Sequence, residues 1–164
     1  MTKVVEVCFL GRDRVNAEFE FDSADLQSGR VTSLSLKASG CSRFLETMSG
    51  FRSGVLAIPL EERSLSKLKL LAEEMIATMD SCDEHVVFLL RELVLRAGDE
   101  FGLPYVETEL CHCRSIPTAV VDRAILSGCL TVQSVARATS AGTSCGTCKP
   151  DTEKLIAYRQ KKLI

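Results

Sequence analysis

The sequence predicts an α+β fold, an antiparallel meander sheet covered by helices, followed by a small all-α helix-turn-helix segment built around paired cysteines. Three observations carry this. Residues 1–40 alternate apolar and polar side chains in short runs broken by turn residues, the period of half-buried strands. Residues 64–97 instead space their apolar side chains three and four apart, the stripe of amphipathic helices. Residues 111–148 hold Cys111-His112-Cys113 and Cys145-Gly146-Thr147-Cys148 on either side of 31 residues that read as two short helices.

In chain order, Val5, Val7 and Phe9 alternate with Glu6 and Cys8, and Val15, Ala17, Phe19 and Phe21 alternate with Asn16, Glu18 and Glu20. Asp22 to Gly29 is a polar turn, and a third strand through Val31, Leu34 and Leu36 ends at Ser39-Gly40-Cys41. Short connections make this an antiparallel meander. Phe44, Leu45 and Met48 predict a short helix stopped by Gly50. Ser64 is placed to cap a helix carrying Leu65, Leu68, Leu71, Ala72, Met75, Ile76 and Met79. A capping box, Ser81-x-x-Glu84, predicts another with Val86, Leu89, Leu90, Leu93, Val94 and Ala97 inside. Gly102-Leu103-Pro104 opposes further helix, so the domains are expected at 1–103 and 104–164.

In the second part Ser115 is the expected N-cap, with Pro117 near N1, of a helix that buries Val120, Val121, Ala124 and Ile125. Gly128 supplies a left-handed stop, and Thr131 caps a helix with Val132, Val135 and Ala136. The small-residue loop Ser140-Ala141-Gly142-Thr143-Ser144 lets backbone amides approach sulfur. A last helix is expected from Pro150 through Leu155, Ile156 and Leu163.

Two close cysteine pairs point to metal. A C-x-C loop and a C-x-x-C loop at the mouth of a helix can close a four-thiolate cage from Cys111, Cys113, Cys145 and Cys148, and four thiolates suit iron-sulfur or zinc. The competing reading is four ordinary reduced thiols. His112 lies between two of these cysteines and is expected to face solvent. Eight cysteines without a recognisable signal peptide argue for a reducing compartment, and the cytoplasm is the expected location. No run of about 18 apolar residues predicts a membrane span. Residues 1–104 carry 12 basic and 17 acidic side chains against 8 and 5 in 105–164, and the basic excess of the latter is too small and scattered for nucleic acid. No catalytic acid-base pair, nucleophile-histidine arrangement or phosphate loop is visible, so an enzyme is not expected.

The segment with the C-x-C, the helix-turn-helix spacer and Gly142-Thr-Ser-Cys-Gly-Thr-Cys148 resembles the 2Fe-2S domain shared by bacterioferritin-associated ferredoxin and the central part of NifU-type proteins. The resemblance implies that Cys111, Cys113, Cys145 and Cys148 bind one 2Fe-2S cluster, with zinc the alternative occupant. Gly29-Arg30-Val31 leading through one strand to Gly40-Cys41, with Cys82 ahead of the final helix, resembles the scaffold domain of IscU and NifU proteins. By that register the first scaffold cysteine belongs near Gly11, with its companion aspartate at Asp13, and the nearest thiol is Cys8. Cys41, Cys82, Cys8 and Asp13 are therefore the candidate ligands of a transient cluster. His85, in the first turn of a helix, is within reach of a metal but reads more simply as solvent-facing.

Together the resemblances imply a NifU-like iron-sulfur cluster assembly protein. A scaffold-type domain would receive sulfur from a cysteine desulfurase and pass clusters to apo iron-sulfur proteins, while the second domain keeps a permanent cluster and exchanges electrons with a redox partner. The alternatives are an electron-transfer ferredoxin whose first domain only docks, and a zinc-stapled interaction protein. Homodimerisation is left open by the sequence.

Overall fold

The computed structural model describes residues 1–9, 13–80 and 83–161, and the chain divides into two compact units, residues 1–101 and 102–161. Unit 1 is the expected α+β plan. Its strands β1 (Thr2–Phe9), β2 (Asp13–Phe21) and β3 (Val31–Ser39) form an antiparallel sheet in the order β1-β2-β3 among the described residues. β2 alternates buried and exposed at every position, because successive side chains of a strand point to opposite faces. Helices therefore cover one face only, where Val5, Val7, Val15, Ala17, Phe19, Val31 and Leu34 are buried.

The covering helices are α1 (Ser42–Ala57), α2 (Leu65–Ile76) and α3 (Glu84–Ala97). Phe44, Met48, Phe51 and Val55 of α1, Leu65, Leu68 and Ala72 of α2, and Val86, Leu89, Leu90, Leu93 and Val94 of α3 join the sheet in one core. Each valine, leucine, phenylalanine or methionine among them contributes about 1.5–3 kcal/mol when taken out of water, before the entropy of ordering is set against it.

Gly50 does not stop α1, which runs on to Ala57. The close approach is at Gly54, where a Cβ would lie only 2.9 Å from Leu71 Cδ2, whereas one at Gly50 would make an ordinary contact 3.5 Å from Met75 Cε. Gly54 thus lets α2 lie close against α1, at a cost of roughly 1 kcal/mol in helix propensity. Where α1 ends, the guanidinium of Arg63 donates to the carbonyls of Leu56 and Ile58, capping from outside the helix. Ser64 is the cap of α2, its hydroxyl accepting from Lys67 N. Ser81 of the expected capping box lies outside the described residues; α3 begins at Glu84 after Asp83, which makes no side-chain cap bond.

Unit 2 carries the expected short helices α4 (Thr118–Leu126), α5 (Val132–Thr139) and α6 (Lys149–Gln160), and in addition a hairpin of β4 (Glu109–Cys111) and β5 (Ile116–Pro117). Ser115 is not the cap of α4: it takes a left-handed conformation, φ 48° and ψ 45°, that closes the hairpin turn, and Pro117 immediately precedes the helix. Thr131 caps α5 in a reciprocal pair with Ser134. α6 ends at Gln160, and Leu163 lies outside the described residues. The core of this unit is Leu110, Val121, Ile125, Val135, Leu155 and Ile156 around Cys111 and Cys148, with Arg159 held in a two-pronged bond to Asp122 at 2.8 and 2.7 Å.

Candidate metal centres

Unit 2 brings four cysteine sulfurs together from two loops. β4 ends on Cys111, the tight turn of residues 112–114 carries Cys113, and the α5–α6 loop delivers Cys145 and Cys148 at the mouth of α6. Gly142 and Gly146 stand at φ +72° and +77°, a left-handed bend on each side of Cys145 that glycine adopts without a Cβ clash. Cys111 Sγ lies 3.8 Å from Cys113 Sγ, and Cys145 Sγ lies 3.3 Å from Cys113 Sγ. These are free thiols, too far apart for a disulfide bond and close to the spacing of about 3.8 Å expected for two sulfurs bound at 2.3 Å to one tetrahedral metal. They line a cavity of about 310 Å³ together with Tyr105, Leu110, His112, Thr147 and Asp151.

The backbone of the cage is set to receive anionic sulfur. Hydrogen bonds from the Thr147 hydroxyl and then its amide bring the Cys145 thiol down to about 7. Burial, reinforced by the neighbouring Cys111, pushes the Cys148 thiol up to about 11. At Cys111 burial is outweighed by the Gly142 amide and by its two thiol neighbours, so the net shift is downward. One proton therefore leaves readily near neutrality, and a metal must displace another. His112 is exposed and pairs with Glu107 at 3.1 Å, as expected of a spacer between ligands.

Unit 1 holds a second constellation. Asp13 at the start of β2, Cys41 at the N-cap of α1 and His85 in the first turn of α3 place one ligand atom each within 4.8 Å of one another. Asp13 is 4% exposed; one carboxylate oxygen accepts from Cys41 N at 2.7 Å and the other lies 3.5 Å from His85 Nε2. Cys41 Sγ stands 3.7 Å from the same His85 nitrogen and accepts from Phe44 N at 3.4 Å. Gly40 makes the arrangement fit, since a Cβ there would fall 2.1 Å from Asp13 Oδ1.

Of the candidate transient ligands, Cys41 and Asp13 are brought together. Cys8 is not: it pairs with Arg14 across the sheet, is exposed, and by strand parity points to the face opposite that of Asp13 and Val15. Cys82 and Gly11 lie outside the described residues. His85, expected to face solvent, is a member of the group. The signal that could have found it is its place in the first turn of α3, directly before the buried Val86.

Residues 110–158 match the family model of the BFD-like 2Fe-2S binding domain. No curated protein and no solved structure matches the chain. The cofactor of this segment is a 2Fe-2S cluster, and the thiol donor set and sulfur spacing of the cage fit it. The match covers about the last third of the chain and does not reach unit 1. No described helix is long and apolar enough to cross a membrane.

Proposed function

We propose that this iron-sulfur protein serves cluster assembly in the manner of NifU-type proteins. Unit 2 would keep its cluster permanently on Cys111, Cys113, Cys145 and Cys148, and unit 1 would receive iron transiently at Asp13, Cys41 and His85. The observation that carries the assembly role is the convergence of those three donors from three separate elements. A carboxylate, a thiolate and an imidazole suit a borderline divalent ion such as iron(II) or zinc(II) and leave coordination positions for sulfide or a partner ligand. When bound, the cluster of unit 2 supplies one-electron chemistry. Cys111 and Cys148 bury their side of the cage, Thr147 and the loop amides orient and stabilise thiolate, and Asp13 fixes the Cys41 backbone by accepting its amide proton. The sulfur donor would be a cysteine desulfurase and the recipients apo iron-sulfur proteins, in the reducing cytoplasm; no catalytic role is assigned to any side chain.

The position of Cys8 favours a second reading, in which unit 1 only docks an electron-transfer protein to its partner. A reconstitution decides between them. A Cys111→Ser variant supplied anaerobically with iron(II), cysteine and a desulfurase should acquire a chelator-labile centre that is lost when Cys41→Ala is added. If no such centre forms, or if it is indifferent to Cys41, the assembly role fails and docking stands.

A further inference from the structure

Resting on the reading of Asp13, Cys41 and His85 as a metal site, we propose that the ion pair of Arg43 and Asp83 is the clasp of that site, a positioning pair that holds Cys41 and His85 at ligand distance across two helices. Arg43 stands two residues beyond Cys41 in the first turn of α1, and Asp83 two residues before His85 at the entry to α3. Two guanidinium nitrogens of Arg43, Nε and Nη2, each lie 2.9 Å from one carboxylate oxygen of Asp83. The pair thus joins the helix starts that carry the thiol and the imidazole.

Those donors already have the spacing that a metal needs. Sulfur at about 2.3 Å and nitrogen at about 2.0–2.1 Å from one tetrahedral ion stand roughly 3.6 Å apart, and oxygen and nitrogen roughly 3.4 Å. Cys41 Sγ and Asp13 Oδ2 lie 3.7 and 3.5 Å from His85 Nε2. Metal bonds tolerate deviations of only about 0.2 Å, so the scaffold must hold this geometry. Asp13 does part of it by accepting from Cys41 N, a bond that ties β2 to α1 but does not reach α3. The Arg43–Asp83 pair supplies the link between α1 and α3.

Asp83 does not make the bond that its place in the chain suggests. An aspartate just before a helix is well suited to accept from the helix's own amides, starting from an extended backbone. Asp83 instead enters α3 from a tight turn, at φ -97° and ψ 11°, with its amide on Asp80 O, and makes no cap bond. Its carboxylate goes to α1. The Arg43 side chain is 47% exposed, so the contact has the modest strength of a surface ion pair. A clasp of that strength aligns the ligands and still yields, as a site that exchanges its ion requires.

The test is calorimetric zinc titration of the full chain with its cluster loaded, the unit 1 signal being the part lost on adding Cys41→Ala. Arg43→Gln and Asp83→Asn should each weaken that signal about threefold to tenfold, and Arg43→Lys, which keeps the charge, should lose less. Since Asp83 makes no cap bond, Asp83→Asn takes nothing from α3 itself. The reversed pair, Arg43→Glu with Asp83→Arg, should recover most of the affinity, which a general loss of stability would not do. Unaltered zinc binding in Arg43→Gln, or a reversed pair as weak as the single variants, would overturn the clasp and leave the metal site standing. A parent protein without a Cys41-dependent zinc signal would overturn both.

Discussion

The two candidate centres solve the problem of gathering donors in opposite ways. In unit 2 all four donors are of one kind, come in two pairs that are local in sequence, and sit on two short loops whose amides donate to sulfur. In unit 1 the three donors are of three kinds and come from Asp13, Cys41 and His85, far apart in the chain, so a whole sheet and two helices must form before they meet. Four thiolates half-buried in a cage favour retention of a cofactor. A single thiolate at a helix N-cap, flanked by a carboxylate and an imidazole, favours exchange. The difference between them is what an assembly protein requires, and it can be attacked from either side.

The largest effect is expected in the cage. Cys145→Ser in the full chain should remove the red-brown colour and reduce bound iron and acid-labile sulfide to near zero, read by absorbance and metal analysis. Zinc binding in unit 1, read by calorimetry as the part lost on adding Cys41→Ala, should be unaffected. Retention of both irons by the variant would end the four-ligand assignment.

Next is the glycine that admits Asp13. Gly40→Ala places a methyl group 2.1 Å from Asp13 Oδ1 at φ +155°, so either the carboxylate or the strand end must move. Unit 1 should lose on the order of 2 kcal/mol of stability, and zinc uptake there should fall with it, while the cluster of unit 2 keeps its spectrum. Chemical denaturation followed by far-ultraviolet circular dichroism reads the first effect and calorimetry the second. An unchanged midpoint would show that the close approach is not required.

These two centres were unequally legible in the sequence. The cage could be read because its chemistry is local: two pairs at fixed spacing, glycines beside them, and a family pattern that the comparison supports. The hairpin that presents Cys111 leaves no mark in the sequence, since strands of three and two residues show no periodicity, and Ser115 two residues before Pro117 is a helix-start signal whichever way the backbone turns. In unit 1 the alternation gave the sheet and its buried face. For His85 the local signal, a helix first turn directly before the buried Val86, is shared by many surface histidines; only the meeting of β2, α1 and α3 makes it a ligand candidate. Gly50 illustrates the same limit. Glycine in a helical pattern reads as a stop, whereas α1 runs through it to Ala57 because a single glycine weakens a helix without ending it.

The two histidines offer a smaller and sharper contrast. His85→Ala should weaken zinc binding to unit 1 of the holoprotein by about tenfold or more, by analogy with the loss seen when a metal site is deprived of a supporting group. His112→Ala should leave the cluster in place, because that side chain is exposed and its ring nitrogen is engaged by Glu107. Calorimetric zinc titration and the cluster spectrum read the two outcomes. Equal effects would mean that His85 is an ordinary surface residue.

The smallest effect concerns how the cage prepares its thiolates. The hydroxyl of Thr147 is the leading reason that the Cys145 thiol is held near 7, so Thr147→Val, which keeps the shape and removes the donor, should raise it toward the ordinary range near 9. A lowered thiol is deprotonated above pH 7 and protonated below. In the apo protein, alkylation of Cys145 should therefore rise through about pH 7 in the parent and through a higher pH in the variant, with a few-fold slower reaction near neutrality. Peptide mapping by mass spectrometry isolates this cysteine from the others. Metal loading should follow the same curve, because iron must displace whatever proton remains on each sulfur, and Cys148, pushed up to about 11, supplies a further proton in parent and variant alike. Loading should thus speed up with pH in both proteins, and the variant should lag most between pH 7 and 8. Identical alkylation profiles would remove Thr147 from the cage and leave the thiolate of Cys145 to the backbone amides alone.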